Sequence, residues 1–294
     1  MAENYYPFLL PQNGSDPFCG FSKAATKVLL FFDMTKLLMK KMQYKAIFID
    51  IDDTLLDYIP CCREAFDAAL DALTAQRSCS NAVLQRSAPT SEADLLFDLF
   101  FSISGRLFSE AKRGLHTIAE VMELYPAEFI ERSGLAQGLT VDEQNRMTDT
   151  FKHAFRAAWG KTHALVPDAR ETLDALRAKG YRLFAASNSF GHLQRSRLEQ
   201  AGLLHYFEDT YISMDIGFDK PDRRYYEETL RRCGLLPHEV LMVGDSMTTD
   251  VLGAMNAGLS AVYFNRRNEP LPLLPPEHAS LTVITSLTAL LQIL

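Results

Sequence analysis

Residues 45–55 read KAIFIDIDDTL, an apolar run that ends in three aspartates within four positions. The short apolar run 46–49 is typical of a β-strand that is buried on both faces, as in a parallel sheet. An extended backbone places Asp50 and Asp52 on one side and Ile51 on the other. Three carboxylates this close together are costly without a cation. The segment therefore predicts a central strand that leads into an acidic site, with a helix-capping acidic turn as the alternative.

Strand and helix patterns alternate in the last part of the chain, after Pro167. This alternation predicts an α/β fold with a doubly wound, Rossmann-like parallel sheet, whose ligands bind beyond the carboxyl ends of the strands. The predicted strands are 181–186, 210–213, 240–243 and 261–264. The predicted helices are 168–179, a helix ending at 202, 222–233, 248–257 and 286–294, with a Pro-rich loop at 265–279.

A helical block separates the first strand from the rest of the predicted sheet. Helices are predicted at 60–75, from about 115 to 132 and from about 141 to 159, with a polar loop at 76–92. Apolar residues also recur at helical spacing directly after this loop, at Leu95, Leu96, Leu99 and Phe100. Because this block cannot join the sheet, we expect an α-helical cap inserted into the core. The predicted domains are a poorly ordered extension at 1–42, a catalytic core at 43–59 and 165–294, and the cap at 60–164. A surface helix at 23–41 is the alternative for the extension.

The composition limits the classes of partner. The formal net charge is −7, which argues against nucleic acid and membrane surfaces as partners. The five cysteines fit no disulfide or zinc framework, so we expect a reducing cytoplasm. No run is apolar for long enough to cross a bilayer.

Three further polar motifs follow predicted strands or precede predicted helices. Ser187-Asn188 could bind an anion at a strand-to-helix turn, and Lys220 could neutralise a phosphate. Gly244 permits a tight turn before Asp245, a hard oxygen ligand, and Asp250 follows. Taken singly, each motif is equally well explained as a helix cap or a solvated surface group.

Together and in this order, the motifs resemble those of the haloacid dehalogenase superfamily over residues 43–294. The resemblance implies that Asp50 is the nucleophile and that Asp52 is the general acid and base. It implies a Mg²⁺ site formed by Asp50, Asp52 and Asp245. Asp250 would act on this site indirectly, without contacting the ion. The implied phosphate-binding residues are Thr54, Ser187, Asn188 and Lys220. One departure is visible, because Asp53 stands where most members have glycine.

The second aspartate of the first motif distinguishes between reactions. Dehalogenases that this chain resembles lack it, because a halide leaving group needs no proton. Asp52 therefore favours a phosphatase that acts through an aspartyl phosphate. A sugar phosphomutase, which uses the same two carboxylates, and a non-catalytic phosphate-binding protein are the alternatives.

The cap should select the substrate. The stretches 53–57, 105–108 and 217–221 resemble the pyrimidine 5′-nucleotidase branch of the superfamily, which implies a nucleoside 5′-monophosphate as substrate. Similar caps also serve phosphatases of phosphoglycolate, sugar phosphates and sialic acid 9-phosphate. In the cap, Arg106, Lys112 and Arg113 are candidates for contacts with the substrate, whereas the aromatic residues are expected to form the cap's own core.

Overall fold

The computed structural model describes residues 44–78, 92–273 and 281–294, which contain a parallel sheet of six strands. Its order is β3-β2-β1-β4-β5-β6, so the direction of winding reverses between β1 and β4. The predicted doubly wound parallel sheet is confirmed. The strands are β1 (Ala46–Ile49), β2 (Arg182–Ser187), β3 (Asp209–Ile212), β4 (Val240–Gly244), β5 (Ser260–Phe264) and β6 (Thr282–Ile284).

Helices cover both faces of this sheet, which is why its central strands are continuously apolar. Along β1, Ile47 and Ile49 belong to one hydrophobic core, and Ala46 and Phe48 belong to the other. The helices of the described ranges are α1 (Tyr58–Ser78), α2 (Glu92–Lys112), α3 (Ile118–Arg132), α4 (Val141–Trp159), α5 (Ala169–Ala178), α6 (Gly191–Gln200), α7 (Ser213–Ile216), α8 (Arg223–Cys233), α9 (Gly253–Asn256) and α10 (Leu290–Ile293).

Helices α1 to α4 pack around a third core, built largely from aromatic rings. Two linkers connect this helical block to the sheet and lie side by side. The Asp57 amide donates to the Ala164 carbonyl at 2.8 Å, and the Val166 amide donates to the Leu55 carbonyl at 2.9 Å. We keep the domain boundaries given above as a proposal.

The structure departs from the sequence-based predictions of secondary structure at four elements. Strand β6 was not predicted, because it is a three-residue edge strand without a detectable alternation. The helix predicted at 248–257 is a π-helical turn over Met247–Leu252 followed by α9. The helix at 286–294 is reduced to a 3₁₀ turn and α10. Helix α1 continues through residues 76–78, where Gln76 and Arg77 are good helix formers.

Several predictions concern residues outside those that the structure describes: the extension at 1–42, its alternative helix at 23–41, positions 79–91 of the polar loop, and the end of the Pro-rich loop beyond residue 273. Within the described ranges, no helix combines the length and apolar character needed to cross a bilayer.

Phe100 is the centre of the third core and provides a test of it. The side chain is almost fully buried and contacts five other rings, those of Phe66, Tyr125, Phe129, Phe151 and Phe155. We expect Phe100→Ala to lower the free energy of unfolding by about 3–5 kcal/mol. Urea unfolding can be followed through Trp159, the only tryptophan of the sequence. The matched control is Leu95→Ala on the same helix, because Leu95 is 64% exposed. This variant should change the free energy of unfolding by less than about 0.5 kcal/mol.

Candidate active site

The predicted motif residues converge where the winding of the sheet reverses. Asp50 follows β1, Ser187 ends β2, and Asp245 follows β4. Lys220 reaches the same place from the loop before α8. Because parallel strands end at one edge of the sheet, the topology brings together residues that are far apart in sequence.

The ammonium group of Lys220 is the centre of this site. Its Nζ donates to Asp50 Oδ1 at 2.7 Å, to Asp250 Oδ1 at 2.6 Å and to the Ala186 carbonyl at 2.8 Å. The side chains of Lys220, Asp50 and Asp250 are all buried. The lysine predicted to bind phosphate is therefore also the residue that holds the first and last aspartates of the site in place.

The site carries more carboxylates than one ammonium can balance. Burial raises the pKa of Asp50 to about 7, which Lys220 opposes and the charge of Asp250 reinforces. Burial, followed by the charges of Asp50 and Asp250, raises the pKa of Asp245 well above its ordinary value. Burial alone would lower the pKa of Lys220, but the charges of Asp250 and Asp50 raise it. An additional cation would relieve this repulsion.

The same carboxylates fit a metal ion. One oxygen from each of Asp50, Asp245 and Asp250 lies within 4.8 Å of the others. Such hard oxygen donors suit Mg²⁺. The predicted ligand set differs in one residue, because the Asp52 side chain is bonded elsewhere and only its backbone could contribute. The Oδ2 of Asp250 accepts from the Ser246 amide at 3.0 Å, and the indirect role predicted for Asp250 at the metal stays a prediction.

Asp52 is held by two side chains of α6 that the sequence analysis did not identify. Its Oδ1 accepts from Arg197 Nη1 at 2.6 Å, and its Oδ2 accepts from Gln194 Nε2 at 2.7 Å. Gln194 Nε2 also lies 3.0 Å from Ser187 Oγ. The sequence did carry one sign of this role. Gln194 and Arg197 are three residues apart, which places them on one face of a helix together with the buried Leu198.

Thr54 and Asn188 connect the loops of the site. Thr54 Oγ1 accepts from the Asp245 amide at 3.1 Å. Asn188 exchanges two hydrogen bonds with the backbone of Lys220, each 2.8 Å long. Their side chains therefore set the positions of Asp245 and Lys220, and a direct contact of either with phosphate stays a prediction.

A cavity of about 1440 Å³ extends from the aspartates to the helical block. Lys112 and Arg113 line it, and the charge of Lys112 counteracts the raised pKa of Asp245. Arg106 is not among its lining residues. It pairs instead with Glu110, at 3.0 Å, and with Glu128 on the outside of the helices. We therefore remove Arg106 from the set of candidate substrate contacts.

The aspartate that replaces glycine in the first motif is explained by its surroundings. Asp53 has a φ of 58°, a left-handed conformation that aspartate tolerates better than most residues. Its Oδ1 accepts from Arg267 at 2.7 Å, from Arg266 at 3.0 Å and from the Tyr58 amide at 3.2 Å. Burial raises the pKa of Asp53, and the two arginines oppose that shift. The Asp53 carboxylate is thus bound by the two arginines of the loop after β5.

Comparison with known proteins agrees with this geometry. A family model described as haloacid dehalogenase-like hydrolase matches residues 44–258. The chain belongs to this family. The solved structure of the HAD-hydrolase YfnB of Bacillus subtilis has the same fold, with a TM-score of 0.66 at 24% identity, and the match covers 85% of this chain and 98% of that one.

Two curated relatives of this haloacid dehalogenase-like hydrolase are phosphomonoester hydrolases by name. The glyceraldehyde 3-phosphate phosphatase of Methanothermobacter thermautotrophicus is 29% identical, over 75% of this chain and 85% of its own length. The pyrimidine 5′-nucleotidase PynA of Streptococcus pneumoniae is 29% identical, over 76% of this chain and 85% of its own length. The predicted family and its pyrimidine 5′-nucleotidase branch are thereby supported, and the predicted enzyme class agrees with both names.

Gly244 tests how closely the site depends on backbone geometry. A Cβ at this position would lie 2.3 Å from Asp250 Oδ2 and 2.4 Å from its Cγ. In Gly244→Ala, Asp250 must therefore move, and Lys220 with it. We expect kcat/KM for p-nitrophenyl phosphate to fall on the order of a hundredfold while the protein stays folded by circular dichroism. An unchanged kcat/KM would contradict this coupling.

Proposed function

We propose that this chain is a Mg²⁺-dependent phosphomonoester hydrolase that acts through an aspartyl phosphate on Asp50. The observation that carries the proposal is the Asp50 carboxylate itself. Lys220 binds its Oδ1, while Oδ2 has no hydrogen-bond partner among the described residues. One oxygen is thus held and the other is available for attack.

The proposed reaction has two steps. In the first, an Asp50 oxygen forms a bond to phosphorus, the ester P–O bond breaks, and Asp52 gives a proton to the leaving oxygen. In the second, Asp52 takes a proton from water as the water oxygen attacks phosphorus, and the P–O bond to Asp50 breaks. Bound Mg²⁺ would supply charge neutralisation between the carboxylates and the phosphate dianion. Lys220 would neutralise the phosphoryl oxygens.

A nucleoside 5′-monophosphate is the substrate class we propose. At about 1440 Å³, the cavity is larger than common ligand pockets, which measure about 300–1,000 Å³. It therefore has room for more than a three-carbon phosphate. Its helical side is lined by flat or soft side chains that suit a base, namely Tyr58, Phe101, Phe108, Met122, Tyr125, Phe155 and Trp159. The nucleotidase PynA among the relatives supports this choice.

We retain a cytoplasmic location, consistent with the free thiols of Cys61, Cys62 and Cys233.

The first test concerns the chemistry. Asp50→Asn should retain less than about a thousandth of the wild-type kcat, because an amide cannot form an acyl phosphate. Asp98→Asn, an exposed aspartate of α2, is the control and should be fully active. EDTA should abolish phosphate release by the wild type, and added Mg²⁺ should restore it. Full turnover without metal, or an isomerised sugar phosphate instead of free phosphate, would refute the proposal.

The second test concerns the substrate. We expect Lys112→Ala to lower kcat/KM for cytidine 5′-monophosphate relative to p-nitrophenyl phosphate by about tenfold, the scale of one charged hydrogen bond. Arg106→Ala is the matched control, because that arginine does not line the cavity, and it should leave the ratio unchanged. Phosphoglycolate, phosphoserine and a sugar phosphate complete the panel. Faster turnover of one of these than of every nucleotide would overturn the nucleotide assignment and leave the phosphatase assignment in place.

A further inference from the structure

Arg197 is a buried arginine outside the motifs of the family. It is 0% exposed, although it carries a full charge. Burial would lower its pKa, but the charge of Asp52 raises it, so the guanidinium stays protonated. A buried charge is stable only where its partners compensate for the lost water. The partners of Arg197 therefore indicate what the fold uses it for.

One group of contacts joins Arg197 to the proposed acid and base. Nη1 donates to Asp52 Oδ1 at 2.6 Å and to Gln194 Oε1 at 2.8 Å. Gln194 in turn donates to Asp52 Oδ2 at 2.7 Å. Both oxygens of Asp52 are thus held from one helix, which fixes the rotation of the carboxylate. The Asp52 side chain keeps 25% of its surface exposed and lines the cavity.

A second group of contacts joins Arg197 to the helical block. The guanidinium lies 3.9 Å from the centre of the Trp159 ring, at the end of α4. Its Nε lies 3.2 Å from Thr162 Oγ1, in the linker that returns to the sheet. The Thr162 hydroxyl also donates to the Trp159 carbonyl at 2.9 Å. The same cation therefore contacts Asp52, α4 and the return linker.

We propose that Gln194 and Arg197 are positioning residues that hold the Asp52 carboxylate for proton transfer. The inference rests on the proposed role of Asp52 as acid and base. Neither residue touches the substrate in this proposal. Both act through Asp52.

The test uses two substrates of similar size whose leaving groups differ in basicity. The phenolate of p-nitrophenyl phosphate leaves with little help from an acid, whereas the alkoxide of benzyl phosphate needs a proton. A defect in Asp52 should therefore lower kcat/KM mainly for benzyl phosphate, on the order of a hundredfold. A general loss of structure would lower both values alike.

Gln194→Leu and Arg197→Lys are the variants. Leucine removes the three hydrogen bonds of the amide, with Asp52, Ser187 and Arg197. Lysine keeps the charge but cannot contact Asp52, Gln194 and Thr162 together. We expect a selective loss on benzyl phosphate in both, and a trapped phosphoenzyme with p-nitrophenyl phosphate, because hydrolysis of the intermediate also needs Asp52. Arg195→Lys on the same helix, a half-exposed arginine paired with Asp215, is the matched control and should behave as wild type. If Arg197→Lys does not fold, Gln194→Leu carries the test.

The Asp52→Asn variant separates the possible failures. It should show the same selective loss, and adding Gln194→Leu to it should cause no further loss, because the two act through one group. If Asp52→Asn is selective but Gln194→Leu is not, the positioning role is overturned and the proposed function stands. If Asp52→Asn itself lowers both substrates equally, the acid and base assignment is overturned, and the positioning role with it.

Discussion

The ammonium of Lys220 joins three chain segments that are distant in sequence. It binds Asp50 after β1, the Ala186 carbonyl in β2, and Asp250 after β4. Loss of one partner from such a buried charge group typically costs about 3–5 kcal/mol. The close approach also requires Gly244, because any side chain there would occupy the place of the Asp250 carboxylate. Sheet topology and site electrostatics thus depend on each other.

The charge balance around Lys220 accounts for the proposed chemistry. A site that holds more buried carboxylates than cations repels a phosphate dianion unless a further cation is bound. Burial raises the pKa of both Asp50 and Asp245, and the neighbouring carboxylates add to this rise. In this site, a divalent ion would complete the charge balance and make attack by a carboxylate on an anionic ester feasible.

The helical block and the sheet are connected more closely than a division into chemistry and specificity implies. The cavity is lined from both sides, and Lys112 of α2 acts electrostatically on Asp245. Arg197 provides a second connection, between Asp52 and Trp159. Under the proposed mechanism, a change in the helices would therefore alter proton transfer as well as substrate choice.

The sequence by itself determined the α/β class, the parallel sheet and the strand-end positions of Asp50, Ser187 and Asp245, because buried strands and helix stops leave strong local patterns. Short or irregular elements such as β6 and the π-helical turn leave no such pattern. Only the tertiary structure decided the partners of Asp52 and the position of Arg106. A partly buried ion pair such as Arg197 with Asp52 joins residues 145 positions apart. Arg106 is turned outward by Glu128 on a different helix. Interactions of this kind depend on how helices pack against each other, and local sequence carries no record of that packing.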